Sequence, residues 1–203
     1  MTLYGPSHAE EVALQMPTSL VAAGSSLDSA VFVQDNFSSE TLRVYTTSDI
    51  LGVELGGSVK NVIAIAAGII DGIGFGDNTK AALITRGISE STRLGEKMGA
   101  NPDTFSGLSG VGDLIVTCLS KHSRNRYVGQ EIGKGRTLEK ILDGMEMVAE
   151  GVKTTESVYQ LQKEHTISMP ISTAVYKVLY RGENAKKVVK ELMTRDLTIE
   201  KRY

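Results

Sequence analysis

The sequence predicts a mainly α-helical protein that opens with a short strand–helix–strand unit. From residue 49 onward, apolar side chains recur at helical spacing, most clearly at Val59, Val62, Ile63 and Ile70. Before that point, short apolar or alternating runs at residues 19–23 and 42–45 are typical of strands. With 41% hydrophobic and 23% charged residues, the composition is that of a globular protein.

The amino-terminal unit has few elements. A helix starting at Ser26 is expected to have Val31, Phe32 and Phe37 on its apolar side. The turn sequence that contains Gly5 is of the kind that follows a strand, yet almost no strand precedes it. We therefore expect a truncated chain that cannot complete its own sheet and leaves its strands unpaired. The elements predicted here are a short helix over residues 8–14, a strand over 19–23, the helix from 26 and a strand over 42–45.

The rest of the chain predicts an all-helical body. Glycines at residues 72–76 end the first long helix, and no repeat or flexible linker interrupts the series that follows. The predicted helices then cover residues 77–100, 101–105, 123–132, 136–143, 150–163, 169–180 and 185–193. The change in periodicity predicts two domains, residues 1–48 and residues 49–203.

A lysine and an asparagine, Lys60 and Asn61, interrupt an otherwise apolar helical run. Lys60 either extends to water while its stem covers apolar surface, or lies in a cleft where lost solvation makes it usable for proton transfer. The second alternative indicates an active site.

Two further groups of polar residues suit a small anionic substrate with hydroxyl groups. Asp113 and Thr117 lie four positions apart, so a helical turn places both on one side. Ser123, Arg124 and Asn125 then offer a cationic fork between two neutral hydrogen-bonding groups. Simpler alternatives make Asp113 and Ser123 helix caps and Arg124 a solvated charge.

Charge and composition exclude several classes of function. A formal net charge of -2 and a pI near 6.0 provide no basic field for nucleic acid. The single cysteine, Cys118, and the absence of an uninterrupted 18-residue apolar segment predict a cytoplasmic protein without membrane insertion. Three scattered histidines, His8, His122 and His165, predict no metal site.

With these motifs the chain resembles the carboxy-terminal part of bacterial NAD(P)-dependent glycerol-3-phosphate dehydrogenases. The resemblance covers nearly the whole chain, in the family's order and spacing, while the Gly-rich amino-terminal half that binds the dinucleotide is absent. The matching stretches are residues 5–12, 52–62, 78–87, 107–114, 123–125 and 148–151.

The resemblance implies a fold, a reaction and roles for the polar residues. The fold is a helical substrate domain of the 6-phosphogluconate dehydrogenase C-terminal type after a remnant of a Rossmann domain. The reaction is hydride transfer between NAD(P)H and dihydroxyacetone phosphate, giving sn-glycerol 3-phosphate for phospholipid synthesis, and the fragment alone is expected to be inactive. A homodimer is one assembly that the resemblance allows.

The implied site has three parts. Lys60 moves the proton, with Asn61, Asp113 and Thr117 as its catalytic partners. Substrate contacts also include Gly5, Ser7, Ser123, Arg124 and Asn125, and the cofactor, NAD or NADP, is contacted by Ala9, Arg124, Val148 and Glu150. Two alternatives remain open at this point. One is another dehydrogenase of the 6-phosphogluconate or 3-hydroxyacid type, and the other is a non-catalytic helical dimerisation module.

Overall fold

The computed structural model describes residues 1–145, 147–197 and 199–200. Within this part of the chain, a small sheet precedes a helical body. The elements in chain order are β1 (Thr2–Tyr4), α1 (Ala9–Ala13), β2 (Thr18–Ala23), α2 (Leu27–Phe37), β3 (Leu42–Thr47), α3 (Ile50–Ile73), α4 (Asp77–Met98), a 3-10 turn (Pro102–Ser106), a π-helical turn (Leu108–Gly112), α5 (Asp113–Leu119), α6 (Arg124–Gly133), α7 (Leu138–Asp143), α8 (Glu150–Glu164), α9 (Pro170–Arg181) and α10 (Ala185–Met193).

The strands pair with one another, so the expectation of unpaired strands is wrong. β1 runs antiparallel to β2, with Tyr4 opposite Val21, and β2 runs parallel to β3, with Leu20 opposite Val44. The helix α2 provides the crossover that a parallel pair needs. β1 escaped prediction because three residues are too few to display an alternating pattern.

The helix α2 covers the sheet with Ala30 and Val33 and not with the phenylalanines predicted to do so. Ala30 is fully buried against Ala22 and Val44, and Val33 packs beside them. Phe32 and Phe37, expected on the apolar side, are 63% and 54% exposed. At 100° per residue Phe32 points away from the face of Ala30 and Val33, whereas Phe37 shares that face but is the last residue of α2.

The long helix α3 is the centre of the molecule, and α4, α5, α6, α8 and α9 all pack against it. Asp49 caps its first turn by accepting a hydrogen bond from the Gly52 amide at 3.0 Å, and Gly74 ends it in the left-handed conformation. By length and composition α3 could cross a membrane, but 78% of its apolar window is buried inside the protein. Its apolar character is that of a core helix.

Glycines bring the backbones of α3 and α6 into direct contact. A Cβ atom on Gly129 would lie 1.9 Å from the Ile65 carbonyl oxygen, and one on Gly68 would lie 1.9 Å from that of Arg126. Only residues without side chains allow this approach. It places the start of α6, with Arg124 and Asn125, against the middle of α3.

A buried carboxylate joins α4 to the start of α9. Glu90 is 1% exposed and accepts hydrogen bonds from the amides of Ile171 and Ser172, at 2.6 and 3.0 Å, and from the Ser172 hydroxyl at 2.9 Å. It thereby satisfies the first free N–H groups of α9 and lies at the positive end of that helix. Burial nevertheless raises the pKa of the Glu90 carboxyl above its ordinary value.

The predicted helix boundaries agree with the structure to within about two residues in most cases. α10 covers the predicted residues 185–193, α8 ends one residue later than predicted, and α9 begins and ends one residue later than predicted. The π-helical turn and α5 were not predicted as separate elements, because the glycines at 107, 110 and 112 obscure the helical pattern there. The predicted second domain, 49–203, includes residues 146, 198 and 201–203, which lie outside the described part.

Candidate active site

Lys60 and Asp113 form an ion pair between the middle of α3 and the start of α5. The Lys60 Nζ donates to Asp113 Oδ1 at 2.5 Å, and the Lys60 side chain is 17% exposed while that of Asp113 is 3% exposed. The lysine therefore neither covers a surface nor extends freely into water. It is the more exposed member of the pair.

Asp113 is a buried carboxylate on whose pKa several neighbouring groups act. Burial raises the pKa of its carboxyl, whereas the Lys60 ammonium and a hydrogen bond from Thr117 oppose that rise. The Thr117 hydroxyl lies 2.6 Å from the Asp113 carbonyl oxygen and 3.2 Å from Oδ1. In the described part of the chain, the second carboxylate oxygen, Oδ2, is buried without a hydrogen-bond partner. A ligand hydroxyl would satisfy it.

The alternative that made Asp113 a helix cap is not what the structure has. Gly112 occupies the N-cap position of α5, and no side chain caps that helix. The preceding π-helical turn instead directs the Asp113 side chain at α3, where Lys60 lies.

Asn61 and Asn125 form a second buried link beside the ion pair. The Asn125 amide nitrogen donates to the Asn61 side-chain oxygen at 2.9 Å, and the Asn125 oxygen accepts from the Gly151 amide at 2.9 Å. Three helices, α3, α6 and α8, meet at these two residues. The structure thus joins Lys60 to Asp113 and Asn61 to Asn125.

The remaining members of the Ser123–Asn125 motif have distinct positions. Ser123 is the N-cap of α6 and accepts from the Arg126 amide at 3.2 Å, so the capping alternative holds for this residue. Arg124 is exposed at the first position of α6, and its Nη1 donates to the Val148 carbonyl oxygen at 3.0 Å. This contact uses only one of the N–H groups that the Arg124 guanidinium carries.

The residues expected to contact the dinucleotide lie on the surface. Val148 is 67% exposed, and both Ala9 and Glu150 are exposed at the first positions of α1 and α8. An arginine fork beside an exposed apolar side chain suits a group that combines phosphates with a flat ring, so the residues present fit one side of such a cofactor.

Gly5 and Ser7 lie in the loop between β1 and α1. Gly5 has a φ of 146°, and a Cβ there would lie 3.0 Å from the Ser19 carbonyl oxygen. The glycine is therefore required by the sheet itself. Ser7 is exposed and donates to the Gly5 carbonyl oxygen at 3.1 Å.

Sequence reasoning missed Tyr4 and dismissed His8, although both lie near the ion pair. Burial raises the pKa of both Tyr4 and Asp113; the Asp113 carboxylate adds to the rise at Tyr4, and His8 partly offsets the rise at Asp113. The signal that could have revealed both is their position on either side of Gly5 and Ser7, which were predicted to contact substrate.

A three-residue ion cluster at the far end of α3 was also missed. Asp71 accepts from Arg126 at 2.6 Å and pairs with Lys80 at 2.5 Å, and all three side chains are at most 20% exposed. Asp71 is the one acidic residue within the apolar run of α3 after Lys60, which was an available signal.

Cys118 lies behind the site and is fully buried. Burial raises the pKa of its thiol to about 12. A buried thiol of this kind packs in the core and is a poor nucleophile. Among the described residues, no group of three or more His, Cys, Asp or Glu side chains could hold a metal ion.

The chain is thus a helical protein that holds a lysine–carboxylate pair in its interior. Comparison with known proteins gives the family. Residues 49–190 match the family described as NAD-dependent glycerol-3-phosphate dehydrogenase C-terminus, and the chain belongs to it. This confirms the resemblance drawn from the motifs. It does not favour the other dehydrogenase types or a non-catalytic dimerisation module.

Individual relatives agree. The chain is 60% identical over 193 residues to glycerol-3-phosphate dehydrogenase [NAD(P)+] 2 of Salinibacter ruber, covering 95% of the chain and 56% of that protein. It is 57% identical over 194 residues to the Chlorobium phaeobacteroides enzyme, covering 96% and 58%. A crystal structure of glycerol-3-phosphate dehydrogenase from Coxiella burnetii superposes with a TM-score of 0.92 at 38% identity, covering 95% and 59%. The chain thus spans little more than half the length of these relatives.

Proposed function

We propose that this chain is the substrate-binding and catalytic part of an NAD(P)-dependent glycerol-3-phosphate dehydrogenase, an oxidoreductase of glycerophospholipid synthesis. The observation that carries the proposal is the contact of Lys60 with Asp113, in which a reachable ammonium is oriented by a buried carboxylate. Family membership supports the same reaction. Lys60, Asn61, Asp113 and Thr117 are the proposed catalytic group.

In this proposal Lys60 moves the proton of the reacting hydroxyl. When the alcohol is oxidised, a neutral Lys60 amine takes the hydroxyl proton while the C2 hydrogen leaves as hydride, and in ketone reduction the ammonium returns the proton. The nicotinamide of NAD or NADP supplies the hydride acceptor or donor. Asp113 fixes the position of the Lys60 Nζ, and Thr117 fixes Asp113.

The phosphate and the cofactor are assigned to the surface around the start of α6. Arg124 presents a guanidinium at the positive end of that helix, an arrangement that suits a phosphate dianion. Ser123, Asn125, Gly5 and Ser7 are the further proposed substrate contacts. Ala9, Val148 and Glu150 are proposed to contact the cofactor together with Arg124.

The two-domain division and the setting of the protein are proposals as well. Residues 1–48 are proposed as a remnant of a dinucleotide-binding domain and 49–203 as the helical substrate domain; the family match beginning at residue 49 supports this boundary. A cytoplasmic location without membrane insertion is supported by the burial of α3 under its neighbouring helices. A homodimer is the proposed assembly.

The proposal is tested by assaying the complete gene product for NAD(P)-dependent oxidation of sn-glycerol 3-phosphate. Lys60→Ala should lower kcat by about two orders of magnitude or more, which is what general acid–base catalysis supplies, with cofactor affinity little changed. Lys153→Ala, an exposed lysine of α8, is the matched control. Near-normal kcat in Lys60→Ala would remove this residue from the mechanism.

A further inference from the structure

The segment from Tyr4 to Pro6 contacts the backbone near each member of the ion pair. At one end the Tyr4 ring lies directly on Gly57, where an added Cβ would be 2.3 Å from two ring carbons. At the other end Pro6 lies against Gly112, where an added Cβ would be 3.6 Å from the proline ring. Gly57 is one helical turn before Lys60 and Gly112 immediately precedes Asp113. This segment therefore spans the two backbones that carry the ion pair.

The Tyr4 ring is fixed by this packing. Gly57 is buried, and the absence of a side chain there provides the hollow that the ring fills. Tyr4 is also the last residue of β1, where strand pairing with Val21 fixes its backbone. A phenol held by both backbone and ring keeps its hydroxyl in one place at low entropic cost on binding.

The electrostatic surroundings keep that hydroxyl protonated. Burial raises the pKa of Tyr4, and the carboxylates of Glu150, Glu54 and Asp113 raise it further. These three acids come from α8, α3 and α5, the last two being the elements that carry Lys60 and Asp113. A protonated phenol in this position is a hydrogen-bond donor.

A donor at Tyr4 complements the free acceptor at Asp113. Asp113 Oδ2 is buried and has no hydrogen-bond partner within the described residues. An alcohol hydroxyl is both a donor and an acceptor, so it can give its hydrogen to Asp113 Oδ2 and accept one from Tyr4. Lys60 exchanges its proton with the reacting hydroxyl. The terminal hydroxyl of the substrate is therefore the one left to bind Tyr4 and Asp113.

We propose that Tyr4 donates a hydrogen bond to the terminal, non-reacting hydroxyl of the substrate and so selects for a polyol phosphate that carries it. This proposal rests on the proposed function and adds a specificity-determining residue to it. A site built to bond a hydroxyl discriminates against the analogue that lacks it, because its own polar groups are then left unpaired.

The test uses Tyr4→Phe in the complete gene product with two substrates. One is sn-glycerol 3-phosphate, and the other is propane-1,2-diol 1-phosphate, which lacks the terminal hydroxyl. Loss of one hydrogen bond should lower kcat/KM for the first by about tenfold. Activity on the second should be nearly unchanged, since the hydroxyl that Tyr4 binds is missing. The phenylalanine ring still fills the Gly57 hollow, so the variant should fold.

Tyr159→Phe is the matched control, because this half-buried tyrosine stacks on Tyr176 at 3.7 Å between ring centroids, in α8 and α9. It should leave both substrates unaffected. Equal losses on the two substrates with Tyr4→Phe, or a rise only in the KM for the cofactor, would overturn the assignment while leaving the proposed function standing. A wild-type gene product that oxidises neither substrate would overturn both.

Discussion

The Lys60 Nζ lies 2.5 Å from Asp113 Oδ1, although the two residues are 53 positions apart in the chain. Lys60 is the cation that compensates a carboxylate whose pKa burial would otherwise raise further. Because one partner orients the other, changes at either residue should affect the same step.

Asp113→Asn should lower kcat by about two orders of magnitude, because the amide removes the charge that orients Lys60. The measurement is steady-state oxidation of glycerol 3-phosphate by the complete gene product. Asp103→Asn, at an exposed position of the 3-10 turn, should behave as wild type. A variant at position 113 with unchanged kcat would show that Lys60 does not need its partner.

Arg124→Lys should raise the KM for glycerol 3-phosphate by about tenfold with little change in kcat. An ammonium cannot reproduce the planar, two-pronged contact of a guanidinium with phosphate while also bonding the Val148 carbonyl oxygen. Arg181→Lys, at the end of α9, is the control. If Arg124→Lys binds the substrate normally, the phosphate is held elsewhere.

Glu90→Ala should lower the free energy of unfolding by about 2 to 4 kcal/mol, because it leaves the buried amides of Ile171 and Ser172 without an acceptor. Chemical denaturation measures this quantity. Glu96→Ala, on the exposed side of the same helix, should cost much less. Equal effects of the two substitutions would mean that the cap on α9 contributes nothing.

The difference between wild type and Glu90→Ala should also depend on pH. The pKa of Glu90 is raised in the folded protein, so the folded state binds a proton at pH values where the unfolded chain has released it. Stability from this group is therefore greatest at low pH and falls as the pH rises from the ordinary glutamate range through the raised pKa. Denaturation of both proteins over that range should show the difference shrinking as the pH increases.

Cys118 should resist thiol reagents in the native protein at pH 8, because a buried thiol with a pKa of about 12 forms very little thiolate. Mass spectrometry after iodoacetamide treatment measures the labelled fraction. The same protein in guanidinium chloride should label fully. Rapid native labelling would show that the region around α5 opens readily.

The helical body and the polar residues of the candidate site could be predicted from the amino-acid sequence. Apolar side chains that recur every 3.6 residues identify helices such as α3 and α10, because this spacing can be recognised within a short stretch of sequence. Lys60 and Asp113 could likewise be selected because charges in apolar surroundings are costly and need a reason.

Which of these residues contact one another could not be predicted from the sequence and depends on the three-dimensional fold. The partner of Lys60 depends on a π-helical turn that redirects Asp113, and the place of Tyr4 depends on the hollow at Gly57. The pairing of β1 with β2 and the contact of α3 with α6 through Gly68 and Gly129 are also long-range. Such contacts follow from how several elements fit together in space, and no local spacing along the chain encodes them.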